Sequence, residues 1–170
     1  MATRFALRLC LCLAALLAIA CGSDGAVARP PRLACSPTDH HVRANGGAAA
    51  GKTLVPVGAI ALTVCSYRGL NPSPKRIGTL LHTRRVASAK RNAGIARELD
   101  ALPPFPSGEH ALACPNDDGS TMVLLFGYRH QSVDPVLVEL TGCQTVTNGP
   151  VVRWAIPDPK LIGHLQALAR

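Results

Sequence analysis

Cys114-Pro115-Asn116-Asp117-Asp118-Gly119-Ser120, followed by Thr121-Met122-Val123-Leu124-Leu125-Phe126-Gly127-Tyr128-Arg129, is the stretch on which the fold turns. Its first half is turn material, because Pro, Asn, Asp and Gly favour the dihedrals of tight bends. Its second half puts Met122, Leu124, Phe126 and Tyr128 on one face of an extended chain and Val123 and Leu125 on the other, so both faces are apolar, as in a central strand. After a loop through His130 and Asp134, Val136, Val138 and Leu140 form the matching face of a return strand, and Thr141-Gly142-Cys143 stops it. A hairpin flanked by two cysteines is therefore the nucleus of the reading.

Working backwards, residues 59–67 (AIALTVCSY) read as a strand with Leu62 and Val64 opposed to Thr63, Cys65 and Tyr67. Gly69, Asn71, Pro72 and Pro74 break it, and residues 77–86 read as a second strand. Ser88, Asn92, Ile95, Leu99 and Leu102 recur at spacings of four and three, which predicts a helix capped by Ser88 and ended by Pro103-Pro104. Working forwards, residues 151–155 read as a last short strand. Asp158-Pro159 opens a final helix with Leu161, Leu165 and Leu168 on one side. Strands fill the middle, with one helix inserted and one terminal. The fold class expected is α+β, a small antiparallel sheet with two helices on one face.

The chain begins with Arg4 and Arg8, no acid, and an unbroken apolar run over residues 9–20. That is the pattern of a secretory signal, and it falls short of the roughly 20 apolar residues needed to span a bilayer. The run ends Leu17-Ala18-Ile19-Ala20-Cys21, which resembles a bacterial lipobox. The resemblance implies diacylation of Cys21 and cleavage before it. Residues 1–20 are then signal peptide, 21–52 a tether and flexible arm, and 53–170 a single domain. Ala18-Ile19-Ala20 and Ala26-Val27-Ala28 also fit an ordinary signal peptidase, so a secreted product is the alternative.

Cysteine parity disfavours cleavage before an unacylated Cys21, since acylation of Cys21 or cleavage after Ala28 leaves Cys35, Cys65, Cys114 and Cys143, an even number, for an oxidising compartment, and the small residues directly before Cys21 favour acylation. Three pairings are possible. The hairpin favours Cys114 with Cys143, and Cys35 with Cys65 would then pin the arm to the first strand. With no C-x-x-C spacing, a zinc site is disfavoured.

Arg and Lys outnumber Asp and Glu by 18 to 10, and Arg exceeds Lys as expected of a GC-rich genome. Residues 66–97 hold eight of the basic residues and no acid. Within this segment Arg76, Arg84, Arg85, Lys90, Arg91 and Arg97 are the candidate binding residues, facing anionic lipid, a wall polymer or an envelope protein. Only six residues are aromatic, which leaves few platforms for stacking bases, and a nucleic-acid partner is not expected.

Other motifs weigh less. Residues 46–53 (GGAAAGKT) spell a phosphate-loop pattern without the preceding strand and following helix that the chemistry needs. Asp39-His40-His41 lacks a second ligand cluster, and Asn116-Asp117-Asp118-Gly119 lacks the later glutamate of a calcium loop. No metal or cofactor is expected. G-x-S-x-G and H-E-x-x-H are absent, and no catalytic set nominates itself, so a non-enzymatic protein is expected, with a hydrolase as the third reading.

Val64-Cys65-Ser66-Tyr67, Leu99-Asp100-Ala101-Leu102-Pro103, Cys114-Pro115, Leu140-Thr141-Gly142-Cys143 and Val146-Thr147-Asn148-Gly149 resemble segments of exported proteins and lipoproteins of high-GC Gram-positive bacteria. The resemblance spans about the last two thirds of the chain and implies an envelope location without carrying over a catalytic residue. The placement of Cys114 and Cys143 around a hairpin is also similar to the subtilisin-inhibitor family of small α+β proteins. That similarity implies a protease inhibitor as the second function class, with residues 103–114 as the loop offered to the protease.

Overall fold

The computed structural model describes residues 33–39, 53–70, 76–106, 114–129 and 135–170. Six strands form one antiparallel sheet: β1 Ala61–Tyr67, β2 Leu80–Val86, β3 Thr121–Gly127, β4 Val136–Glu139, β5 Thr145–Thr147 and β6 Val152–Trp154. Their spatial order is β2-β1-β3-β4-β5-β6. Two helices complete the expected α+β fold, α1 Ala89–Asp100 between β2 and β3 and α2 Pro159–Ala169 after β6.

The alternation read from the sequence explains how the layers form. Leu62 lies opposite Phe126 and Val64 opposite Leu124, while Met122 and Leu124 meet Val138 and Val136. These side chains share one face and pack with Ile95 and Leu99 of α1 and Leu161 and Leu165 of α2 in the main core. On the reverse face Cys65 and Val123 pair, and with Tyr67 they form a second, smaller core that includes Cys35.

Both helices begin as their sequences direct. The Ser88 hydroxyl accepts from the Arg91 N–H, and the Asp158 carboxylate accepts from the Leu161 N–H with Pro159 in the first turn. At the far end of α1 the Ala101 N–H donates to the Arg97 carbonyl, after which Pro103 cannot continue the ladder. The Asp100 carboxylate accepts from the N–H groups of Leu54 (2.5 Å) and Val55 (3.3 Å), fastening the chain that leads into β1.

The disulfides are Cys35–Cys65 and Cys114–Cys143, the pairing favoured above. The second ties the turn before β3 to the turn after β4. Thr141 strengthens the same junction: its hydroxyl accepts from the Asp118 N–H (3.1 Å) and lies 2.9 and 2.8 Å from the Asp117 and Asp118 carboxylates. Residue 142 must be glycine there, because its φ is +67° and a Cβ would meet Asp117 at 2.8 Å.

Three details depart from the sequence reading. β2 starts at Leu80 rather than Ile77, because Gly78 turns the chain at φ +73°. β5 is an additional strand, inserted between β4 and β6. The arm is fastened by more than its cysteine: the Asp39 N–H donates to the Gly78 carbonyl, the Leu80 N–H to the Pro37 carbonyl and the Tyr67 hydroxyl to the Ser36 carbonyl. Cys21, His40, His41 and residues 46–52 lie outside the described residues.

Candidate functional site: a basic cleft at the β2 edge

β2 is the outermost strand on one side of the sheet, and residues 81–85 along it are exposed. Arg84 lies opposite Val64 and so stands on the helix side of the sheet, whereas Arg85 lies opposite Thr63 on the reverse side. Val86, buried against the core, ends the strand, and Ala87-Ser88 turns the chain into α1. Arg91, three residues past the cap, is thereby brought back beside the strand end. With the last turn of α2 as the far wall, these residues enclose a cleft of about 380 Å³, lined by Arg84, Arg85, Val86, Ser88, Arg91 and Leu168 among others.

Among the described residues no carboxylate lines this cleft. Of the six basic candidates, the structure brings Arg84, Arg85 and Arg91 together. Arg76 sits before β2, where its carbonyl accepts from the Thr79 hydroxyl (2.8 Å) and N–H, and Arg97 sits in the last turn of α1. Neither Arg76, Lys90 nor Arg97 lines the cleft.

Sequence reasoning missed the apolar part of the same edge. Leu70, Ile77 and Leu81 are large hydrophobic residues left 40 to 45% exposed, all in the hairpin that joins β1 to β2. The signal was present in Leu80-Leu81: adjacent residues of a strand point to opposite faces, so on an edge strand one of the two meets solvent. Leu168, a wall of the cleft, was read only as a core residue of the last helix.

A smaller space of about 130 Å³ lies on the reverse face, where the arm crosses the sheet beside Tyr67 and Cys65. Burial pushes the Tyr67 phenol above its ordinary value, and the neighbouring Asp39 carboxylate adds to the rise. At the opposite junction the Ser120 hydroxyl, the Ser120 N–H and the Thr141 hydroxyl hold the Asp118 carboxyl below the usual range. Asp117 and Asp118 thus serve the turn that the sequence suggested: Asp117 accepts from the Gly119 N–H and Asp118 from the Ser120 N–H, both at 2.8 Å.

His164 of α2 and Glu98 of α1 approach to 3.1 Å, the one histidine–carboxylate pair among the described residues, and no hydroxyl joins them there. Among the described residues there is also no group of three metal-ligating side chains. Of the loop considered for protease binding, Pro103 and Phe105 are hydrogen-bonded to β6, while residues 107–113 lie outside the described residues.

Comparison of the chain with protein-family models, with curated proteins and with solved structures finds no match. The functional reading therefore rests on the residues and geometry of this molecule.

Proposed function

We propose that this chain is a lipid-anchored extracytoplasmic protein of the cell envelope, a non-enzymatic binding protein whose β2 edge rests on the anionic membrane that holds its anchor. The observation that carries the reading is shared by two features of one strand. The arm that leads back toward Cys21 is hydrogen-bonded at Gly78 and Leu80, and Arg84 and Arg85 stand further along the same strand. A tether through Cys21 would bring this edge, rather than the β6 edge, toward the bilayer. Leu70, Ile77 and Leu81 add exposed apolar groups at the other end of the same edge, and charge together with apolar surface suits a headgroup boundary. Two disulfides suit an oxidising compartment.

Magnitudes assign the labour. Each Arg or Lys close to an anionic surface contributes about 1 kcal/mol. The few cations of this edge therefore orient a domain that is already anchored, and acyl chains on Cys21 supply the hold. The contribution fades with salt, since screening acts over about 8 Å at physiological ionic strength.

Two measurements test the reading. Intact-mass analysis of the mature chain is expected to show a diacylated N-terminal Cys21, and a product starting at Arg29 would contradict the anchor. The mature chain, beginning at residue 21 and carrying Cys21→Ser, is expected to co-sediment with phosphatidylglycerol vesicles at low salt and to leave them at high salt. Absence of binding at low salt, or retention on isolated wall polymer or an envelope protein alone, would contradict the membrane as the docking surface.

A further inference from the structure

We propose that the cleft bounded by Arg84, Arg85 and Arg91 is a discrete site for one phosphate group, the phosphoryl of a lipid headgroup or of a soluble phosphate ester, rather than part of a diffuse positive surface. The inference rests on the β2 edge being the docking edge, and it can fail separately from that reading.

Three arginines line one cleft, Arg84 from the helix side of β2, Arg85 from the strand end and Arg91 from α1, and among the described residues no carboxylate lines it and none of the three forms an ion pair. Like charges held together repel, so the arrangement is relieved by an anion. Among the described lining residues there is no internal substitute. The C-terminal end of α2, at Ala167 and Leu168, carries roughly half a negative charge, but the N-terminal end of α1 carries roughly half a positive one at the same cleft. The helix ends cancel, and the arginine charges remain.

The residue type narrows the ligand. Arginine presents a planar fork that matches two oxygens of a phosphate, whereas lysine is a point charge, and Lys90 next in sequence to Arg91 does not line the cleft. Val86 and Leu168, both nearly buried, back the cleft, while Arg84, Arg85 and Arg91 are exposed to solvent. Among the described residues no aromatic ring lines it, so these offer a nucleobase no stacking surface. At about 380 Å³ it lies at the small end of the roughly 300–1,000 Å³ range of ligand clefts, suiting a headgroup-sized ligand rather than a polymer segment.

The test uses the isotope-labelled mature chain carrying Cys21→Ser, titrated at constant ionic strength with inorganic phosphate, with glycerol phosphate and with chloride. Saturable shifts confined to Arg84, Arg85, Ser88 and Arg91 are expected for the two phosphates and not for chloride. Arg84→Ala and Arg91→Ala are each expected to weaken phosphate binding about tenfold or more, while Arg76→Ala and Arg97→Ala leave it unchanged. Arg91→Lys is expected to fall between, since it keeps the charge and loses the fork. Melting curves of all variants establish that the fold is retained.

Shifts that never saturate, that chloride reproduces, or that Arg76→Ala weakens as much as Arg84→Ala, would overturn the site, even where vesicle binding persists. Competition arms identify the source. If phosphatidylglycerol vesicles displace glycerol phosphate and Arg84→Ala abolishes the displacement, the ligand is the lipid headgroup. If soluble esters bind and vesicles do not compete, the site stands, its ligand is soluble, and the membrane reading falls.

Discussion

The two edges of the sheet are finished in opposite ways. β6 is three residues long and is sealed: the Phe105 N–H donates to the Val152 carbonyl, the Trp154 N–H donates to the Pro103 carbonyl, and Pro104 bridges to Arg153. β2 is seven residues long, and among the described residues the arm meets it only at its start, at Gly78, Thr79 and Leu80. An open edge invites pairing with other chains, and proteins guard it by covering it or by charging it. Here one edge is covered and the other charged. Protection by charge does not extend along the whole edge, because Leu81 within β2 and Leu70 and Ile77 at its start lie exposed at the end away from Arg84 and Arg85. Among the described residues the β2 edge is the less covered of the two, which is what the proposed contact through its charges requires.

Detaching the arm is the largest perturbation that bears on this comparison. Cys35→Ala with Cys65→Ala opens a loop of 30 residues and is expected to cost roughly 3–4 kcal/mol by chain entropy, read as a shift in the urea midpoint. A loss below about 1 kcal/mol would mean that the arm's hydrogen bonds alone hold it on β2. The sealed edge has a matching test. Phe105→Pro removes the donor to Val152, is expected to cost about 1–2 kcal/mol, and makes the chain self-associate through β6, visible as a concentration-dependent sedimentation coefficient. Unchanged monomeric behaviour would show that β6 does not depend on that cover.

These contrasts indicate how much the sequence disclosed. The central hairpin, both helix caps and the cysteine pairing were legible, because alternation, capping residues and flanking cysteines are local signals. β5 was overlooked although Thr145-Val146-Thr147 precedes an Asn148-Gly149 turn: it is three residues with one apolar side chain, too short for periodicity to register. The arm's pairing with Gly78 and Leu80 depends on contacts some 40 residues apart in sequence, which no local pattern reports. For the candidate site, the excess of basic residues over 66–97 was visible as composition. That Arg84, Arg85 and Arg91 converge while Arg76 and Arg97 do not follows from the turn at Ala87-Ser88 and from the wall set by Leu168, a residue 77 positions beyond Arg91.

A smaller effect provides a reference point away from both edges. The Tyr128 hydroxyl donates to the Pro56 carbonyl at 2.6 Å, and burial, with the Asp100 carboxylate, pushes its pKa up to about 12. The native state thus favours the neutral phenol, and the unfolded chain loses that proton first, near its ordinary value of about 10. The resulting stability is fully present below pH 10 and is expected to fall as pH rises from 10 toward 12. Tyr128→Phe is expected to cost about 1 kcal/mol at neutral pH and to abolish this alkaline loss. An alkaline loss that persists in the variant would place its origin elsewhere.

Smallest of all is the expected effect of the arginines on stability. Arg84→Ala, Arg85→Ala and Arg91→Ala should each move the unfolding free energy by no more than about 0.5 kcal/mol, because none makes an ion pair among the described residues. A loss of 2 kcal/mol would assign these side chains to holding the fold rather than to contact.

Trp154, the single tryptophan, lies on β6 and so reports the edge that should stay away from the membrane. The most direct measurement is hydrogen exchange of the mature chain on phosphatidylglycerol vesicles against phosphatidylcholine vesicles, with Trp154 emission recorded in parallel. The account predicts added protection over residues 80–91 on the anionic vesicles and an unshifted Trp154 spectrum. Protection over residues 152–154 with a blue-shifted Trp154, and no change along β2, would contradict it.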